Sequence, residues 1–326
     1  MNTKSFNIFP WLASLGVAWS LGFVYNVIYG GELSWLRMMY EEKLAIAAKV
    51  EGPRRLIVTA GSGAHYSINS ELMAKELGIP VVNFGLQGDI GLNVIAAMIL
   101  EKARKGDVIL LIPEYLMLMD EDGFNRGEGL WGSAPFSVAI GKPGLGGIPL
   151  KTMIEDTWLL GIPGMRAVTK STVDLFTKGR MTGYLSDPIT NTGDPTIVKE
   201  KTGKWKWWQM TFDAPVSAHS IKLIEKLKKD LEAKGATLVV SLPWVYAKND
   251  GKTLANIRKS AEELSRVVPT IYDPKDLNIK TDSTIFADTH YHLLPPARII
   301  RSEQLVSELK PILNTKIGRA SCRERV

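Results

Sequence analysis

Cysteine is almost absent from this chain: the one thiol in 326 residues is Cys322. A lone thiol excludes a disulfide within the chain, a state compatible with an oxidising compartment without requiring one. Even that thiol lies in a tail, Ile317 to Val326, that reads IGRASCRERV. The tail resembles the translation of a common sequencing adapter and is taken as read-through, the alternative being a genuine basic terminus. Runs of lysine and arginine interleaved with aromatics are also missing, and the net charge of +6 is mild. Nucleic acid is therefore not an expected partner. There is no internal repeat, no complete G-x-G-x-x-G after a strand, and no G-x-S-x-G elbow, because Ala60 and Ala64 stand where that motif needs glycine. With 45% hydrophobic and 23% charged residues, the composition is that of a globular protein. Its length allows one large domain or two small ones.

The segment Phe6 to Tyr29 carries no charge, and only Asn7 and Asn26 are strongly polar. It is long enough to span the hydrocarbon core as a helix, with Trp11 and Tyr25/Tyr29 at the two interfaces. A cleaved signal peptide is the rival, but no small-x-small cleavage site precedes Glu32. The expectation is an uncleaved single-pass anchor over 1–30 and a linker helix over 31–53. Lys4 and the terminal amine favour a cytoplasmic N-terminus, while Arg37, Lys43 and Lys49 weaken that bias. The main domain is thus placed outside the cytoplasmic membrane, as in a periplasm.

A βα alternation follows. Ser34 to Val50 reads as a helix with Ser34 as N-cap, ending before Gly52-Pro53. Strands are expected at Leu56–Thr59, Pro80–Asn83, Val108–Ile112, Thr237–Leu242 and Thr270–Tyr272. Helices are expected at Ser70–Leu77 (Ser70 as N-cap, Gly78 as stop), Leu92–Lys105 closed by Gly106, Val216–Ala233, Leu254–Val267 and Pro296–Leu313. Continuous apolar strands between helices predict an α/β domain with a mainly parallel sheet covered on both faces, over 54–315. An irregular insertion at about 123–212 interrupts it, with the Gly/Pro cluster Gly141 to Pro149 and the run Trp205-Lys206-Trp207-Trp208. Those tryptophans fit buried packing, sugar stacking or a membrane surface.

Three separated segments hold the candidate chemistry. Ser62 ends the first strand with glycine on both sides, where backbone amides can approach a tetrahedral intermediate. A serine in a tight glycine turn is also a commonplace structural feature. Asn83-x-Gly85-x-x-Gly88-Asp89 follows the second strand, and Asp288-Thr289-His290-Tyr291-His292 precedes the last helix. A histidine within reach of the serine, oriented by an aspartate, would complete a nucleophilic site. Asp288, His290 and His292 alternate as metal ligands can, but further ligands are not evident, so neither metal nor cofactor is expected. His65 and His219 read as structural or exposed.

Taken together, these segments resemble the motifs of the SGNH (GDSL-like) hydrolase and acyltransferase superfamily. That resemblance implies a three-layer α/β/α sandwich with a flavodoxin-like sheet. It implies Ser62 as nucleophile, His292 as base and Asp288 as its acid, with the amides of Gly88 and Ser62 in the oxyanion hole. His290, Glu114 and Asn83 would stand behind them, His290 being an alternative base. Three departures mark the match. Asp288 and His292 are spaced one residue wider than D-x-x-H, and Gly61 stands where the GDS motif has Asp. Glu114 occupies the position of the third-motif Asn, whose amide donates into the hole; losing such a donor costs about 3–4 kcal/mol. Asn191 and Asn125 are candidate replacements. The membrane-anchored branch of the family implies a serine esterase or O-acyltransferase acting on a glycan or envelope ester, partnered by a membrane-bound O-acyltransferase. The alternative is a non-catalytic, membrane-tethered binding or scaffold protein on the same fold.

Overall fold

Five short apolar strands form the centre of the molecule in a computed structural model that describes residues 7–31, 33–124, 133–141, 148–181, 188–197 and 209–323, the side chains of 133 and 315–323 excepted. β1 (Leu56–Thr59) and β3 (Val108–Leu111) are buried at every position, as strands covered on both faces must be. With β2 (Val81–Asn83), β4 (Thr237–Ser241) and β6 (Thr270–Ile271) they form a parallel sheet ordered β2-β1-β3-β4-β6. The chain steps outward from β1 to β2, then crosses back to the other side of β1 as β3. The order therefore reverses between β1 and β3, and the crevice beyond their carboxyl ends is where such sheets bind ligands. A separate pair, β5 (Val245–Tyr246) and β7 (Ile279–Lys280), was not expected from the pattern; two residues each are too few to show one.

The helices are α1 (Phe9–Val24), α2 (Ser34–Lys49), α3 (Ser62–Ser67), α4 (Ser70–Leu77), α5 (Leu92–Lys102) and α6 (Tyr115–Met119), followed by α7 (Ser133–Ile140), α8 (Leu150–Thr157), α9 (Met165–Lys178), α10 (Ala218–Ala233), α11 (Gly251–Val267) and α12 (Pro295–Arg323). Several ends differ from the sequence reading. Asn69, not Ser70, caps α4, its Oδ1 accepting from the Leu72 amide at 2.9 Å. Ser34 lies inside α2, and its hydroxyl donates to the Gly31 carbonyl. α5 stops at Lys102 because the Asp107 carboxylate accepts from the Arg104 amide and pulls the chain into a turn. Gly106 then adopts φ +90°, with the Pro53 carbonyl where a Cβ would sit. α11 begins at Gly251, capped by Asp250, whose Oδ1 accepts from the Thr253 amide at 2.9 Å. α12 starts with two prolines in its first turn, where no amide is needed, and runs past Leu313.

The stretch expected to be irregular instead carries α7, α8 and α9, with a 3-10 turn at Trp158–Gly161 between the last two. Its tryptophan run, Asn125, and residues 142–147 of its glycine cluster lie outside the described residues. α1 continues through a π-helical turn, Tyr25–Tyr29, so that Phe9–Tyr29 is the one described helix long and apolar enough to cross a membrane.

Candidate active site

Ser62, Gly88 and Glu114 follow the carboxyl ends of β1, β2 and β3, and all three line one cavity of about 250 Å³. Gln87, Asp89, Met117 and Met210 add to its wall. Thr289, His290 and Tyr291 complete the wall, more than 200 residues after Ser62 and Gly88 in the chain. All three segments singled out from the sequence thus meet in space.

Glycine makes that meeting possible. Ser62 opens α3, and the preceding Gly61 is extended. A Cβ on Gly61 would lie 2.5 Å from the Gly88 Cα, and 2.6 Å from both Glu114 Oε1 and Met117 Cε. No aspartate fits there. A Cβ on Gly85 would meet the His65 amide nitrogen at 2.5 Å, so the second segment presses directly on α3. Asn83 holds the same contact from beneath. Its side-chain amide donates to the His65 carbonyl at 3.1 Å and to Asp194 Oδ1 at 2.9 Å, and its Oδ1 accepts from the Gly85 amide. Fully buried, Asn83 shapes the loop and does not face the cavity.

Glu114 is buried, and its carboxylate accepts from the backbone on both sides of Ser62, from Gly63 at 2.6 Å and Gly61 at 3.3 Å. Loss of solvent pushes its pKa up to about 7, the two amides opposing the shift and the charge of Asp89 adding to it. At neutral pH the carboxyl is therefore poised between charged and neutral forms. A charge at Glu114 would oppose any negative charge developing beside Ser62, and burial confines that charge to the alkaline side. Of the two suggested substitute donors, Asn191 is exposed in the turn beside β2 and is not on the cavity wall.

In the late segment, Asp288 Oδ1 lies 2.7 Å from His292 Nδ1, as an orienting acid should. The Thr289 hydroxyl accepts from the amides of Tyr291 and His292, which tightens the turn across the wider spacing. His292 is buried against Tyr66 of α3, ring centroids 4.4 Å apart. The Ser67 hydroxyl donates to the Tyr291 carbonyl at 2.6 Å, so the C-terminal end of α3 is joined to the late segment by two neighbouring residues. His290, not His292, contributes to the cavity wall, its ring parallel to Tyr246. Among the described residues no cluster of His, Cys, Asp or Glu is arranged to hold a metal ion.

Below this floor lies a network that the sequence reading missed. Lys43 of α2 is fully buried, its Nζ 2.9 Å from His65 Nδ1, 2.9 Å from the Asn83 carbonyl and 2.7 Å from the Gly85 carbonyl. Burial lowers its pKa to about 7 against the pull of Asp194. Asp194 in turn accepts from the amide and hydroxyl of Ser70 and from Asn83. The clue was available: Lys43 shares a helical face with Leu36, Met39, Tyr40 and Ala47, all buried. His219 sits apart, bonded to Asn93. No family model matches the chain, and no curated protein matches it.

Proposed function

We propose that this protein is a membrane-anchored serine esterase or O-acyltransferase with an SGNH-like site, acting outside the cytoplasmic membrane on a glycan or envelope ester. The observation that carries the reading is the convergence of Ser62, Gly88 and residues 289–291 on one cavity at the switch point of a parallel sheet, with the Asp288–His292 pair directly flanking those residues in the chain. The strand order matches the flavodoxin-like pattern, and helices on both faces of the sheet would make it a three-layer α/β/α sandwich.

In this reading His292, oriented by Asp288, takes the Ser62 hydroxyl proton as Oγ bonds to the acyl carbon. The amides of Gly88 and Ser62 receive the developing oxyanion. Collapse breaks the bond to the leaving oxygen, which takes the proton back from His292 and leaves an acyl ester on Ser62. Water or an acceptor hydroxyl, deprotonated by the same histidine, then releases the acyl group. His290 is the alternative base, since it faces the cavity. A membrane-bound O-acyltransferase would be the source of acyl groups in the transferase version.

A second reading is favoured by one observation. Glu114 engages the amides flanking Ser62 with a carboxylate, which suits a non-catalytic binding or scaffold protein on this fold. Labelling the full chain in membranes with a fluorophosphonate probe separates the two. The enzyme reading expects labelling of wild type that Ser62→Ala abolishes; equal absence in both leaves the scaffold reading.

A further inference from the structure

The strongest unassigned feature is an apolar face on the α8–α9 hairpin, far in sequence from α1 but packed on it. Trp19 Nε1 donates to the Trp158 carbonyl at 2.7 Å, and the Asn26 side-chain amide donates to the carbonyls of Leu160 and Ile162. Gly22 and Gly161 touch backbone to backbone, since a Cβ on Gly22 would meet the Gly161 carbonyl oxygen at 1.9 Å. The Ser171 hydroxyl of α9 donates to the Gly30 carbonyl and accepts from Tyr25. The carbonyls of Trp158, Leu160 and Ile162 in the turn between α8 and α9 therefore accept from donors of the apolar helix.

That contact fixes a depth. Phe9–Tyr29 rises about 31 Å at 1.5 Å per residue, enough for a hydrocarbon core of about 30 Å. The hairpin meets the half from Trp19 onward, and the ten residues before it would cover only about 15 Å. If α1 crosses the bilayer, its second half is inside, and the Trp158–Ile162 turn beside it is inside too. Irregular backbone at that depth is tolerated only when other protein groups satisfy it, as Trp19 and Asn26 do here.

The outer face agrees. Leu150 and Ile154 of α8 are 75% and 63% exposed, and Trp158, first residue of the turn that follows, is exposed as well. On α9, Met165 is 79% and Phe176 84% exposed, while Ala167, Ser171 and Asp174 face inward. Arg166 and Arg180 are exposed nearby, with Lys151 and Lys178, which also pair with Glu155 and Asp174; such cations suit anionic headgroups at the rim of an inserted apolar face. We propose that α8 and α9 form a re-entrant amphipathic hairpin that dips into the leaflet adjoining the folded domain, alongside α1, with phospholipid covering its outer face. This rests on α1 being a membrane anchor but not on any catalytic role.

Nitroxide scanning of the full chain tests it, in vesicles of phosphatidylethanolamine and phosphatidylglycerol. In a Cys322→Ser background, single cysteines replace Ile154, Met165 and Phe176, with Leu15→Cys as the span reference and Lys259→Cys as the water reference. The expected result is that labels at 154, 165 and 176 collide with oxygen in preference to a water-soluble nickel chelate, as at 15, while 259 shows the reverse. Water-like values at the three positions with a lipid value at 15 would overturn the hairpin and leave the anchor standing. A water-like value at 15 would remove both. Poor collision with both reagents at 154, 165 and 176 would mean that protein covers the face, which also rejects the proposal.

Discussion

Glu114 decides the electrostatics of the cavity at the scale of single residues. If Ser62 is the nucleophile proposed above, a neutral carboxyl beside it is tolerable to an oxyanion, and a charged one is not. Glu114→Gln should therefore speed fluorophosphonate labelling of Ser62 by about tenfold at alkaline pH, with the advantage fading below pH about 7 as wild-type Glu114 gains its proton. The stability sign runs the same way. A folded pKa raised to about 7 from 4.5 gives a contribution present below about 4.5 and lost as pH rises through 7. Urea midpoints of wild type should fall relative to Glu114→Gln over that window, and parallel profiles would contradict the burial of the charge. Gly61→Ala is expected to cost about 1–3 kcal/mol in the same assay, because its Cβ collides with the Gly88 backbone. Ser62, Gly88 and the late Asp/His segment were singled out from sequence because glycine turns and a resemblance to known motifs are visible in short stretches of chain. The role of Gly61 could not be read that way, because the atom that forbids a side chain belongs to a different strand end.

Between elements, two buried ionic ties hold the sheet to what surrounds it. Arg55, just before β1, pairs with Asp107, just before β3, at 2.8 Å and 3.1 Å, both side chains being buried. Removing one partner leaves the other charge stranded, so Asp107→Asn should lower stability by about 3–5 kcal/mol in denaturant unfolding. Lys43 ties α2 to the carbonyls of the second segment. Its lowered pKa means that stability rises with pH between about 7 and 10.5, a slope that Lys43→Met should abolish. Strand and helix positions were largely readable, since apolar runs and glycine stops are local. Helix ends were read less well: Asp250, Asn69 and Asp107 act through hydrogen bonds that periodicity does not register.

For the whole molecule, α1 is the feature with the widest consequences. An anchored chain should remain in the membrane pellet after an alkaline carbonate wash, and recovery in the supernatant would contradict the span. The side on which the domain lies is part of the proposal, and it can be read directly. Lys259→Cys in the Cys322→Ser background should react with an impermeant maleimide in intact spheroplasts if the domain is outside. Protection until lysis would place it in the cytoplasm.

By itself the sequence determined the parallel α/β alternation, the apolar N-terminal helix and the three segments worth bringing together, because each is a short-range pattern of burial or turn chemistry. Only the tertiary structure decided that these segments share a cavity, that His290 faces it while His292 pairs with Asp288 beside it, and that Glu114 and Lys43 are stripped of solvent. It also set the 158–162 turn of the insertion against the apolar helix, while α7 packs on the Gly88–Ile90 turn and Met210 lines the cavity. The physical reason is common to all of these. Desolvation and contact depend on what is near in space, and spacing along the chain reports that only within a helix, a strand or a turn.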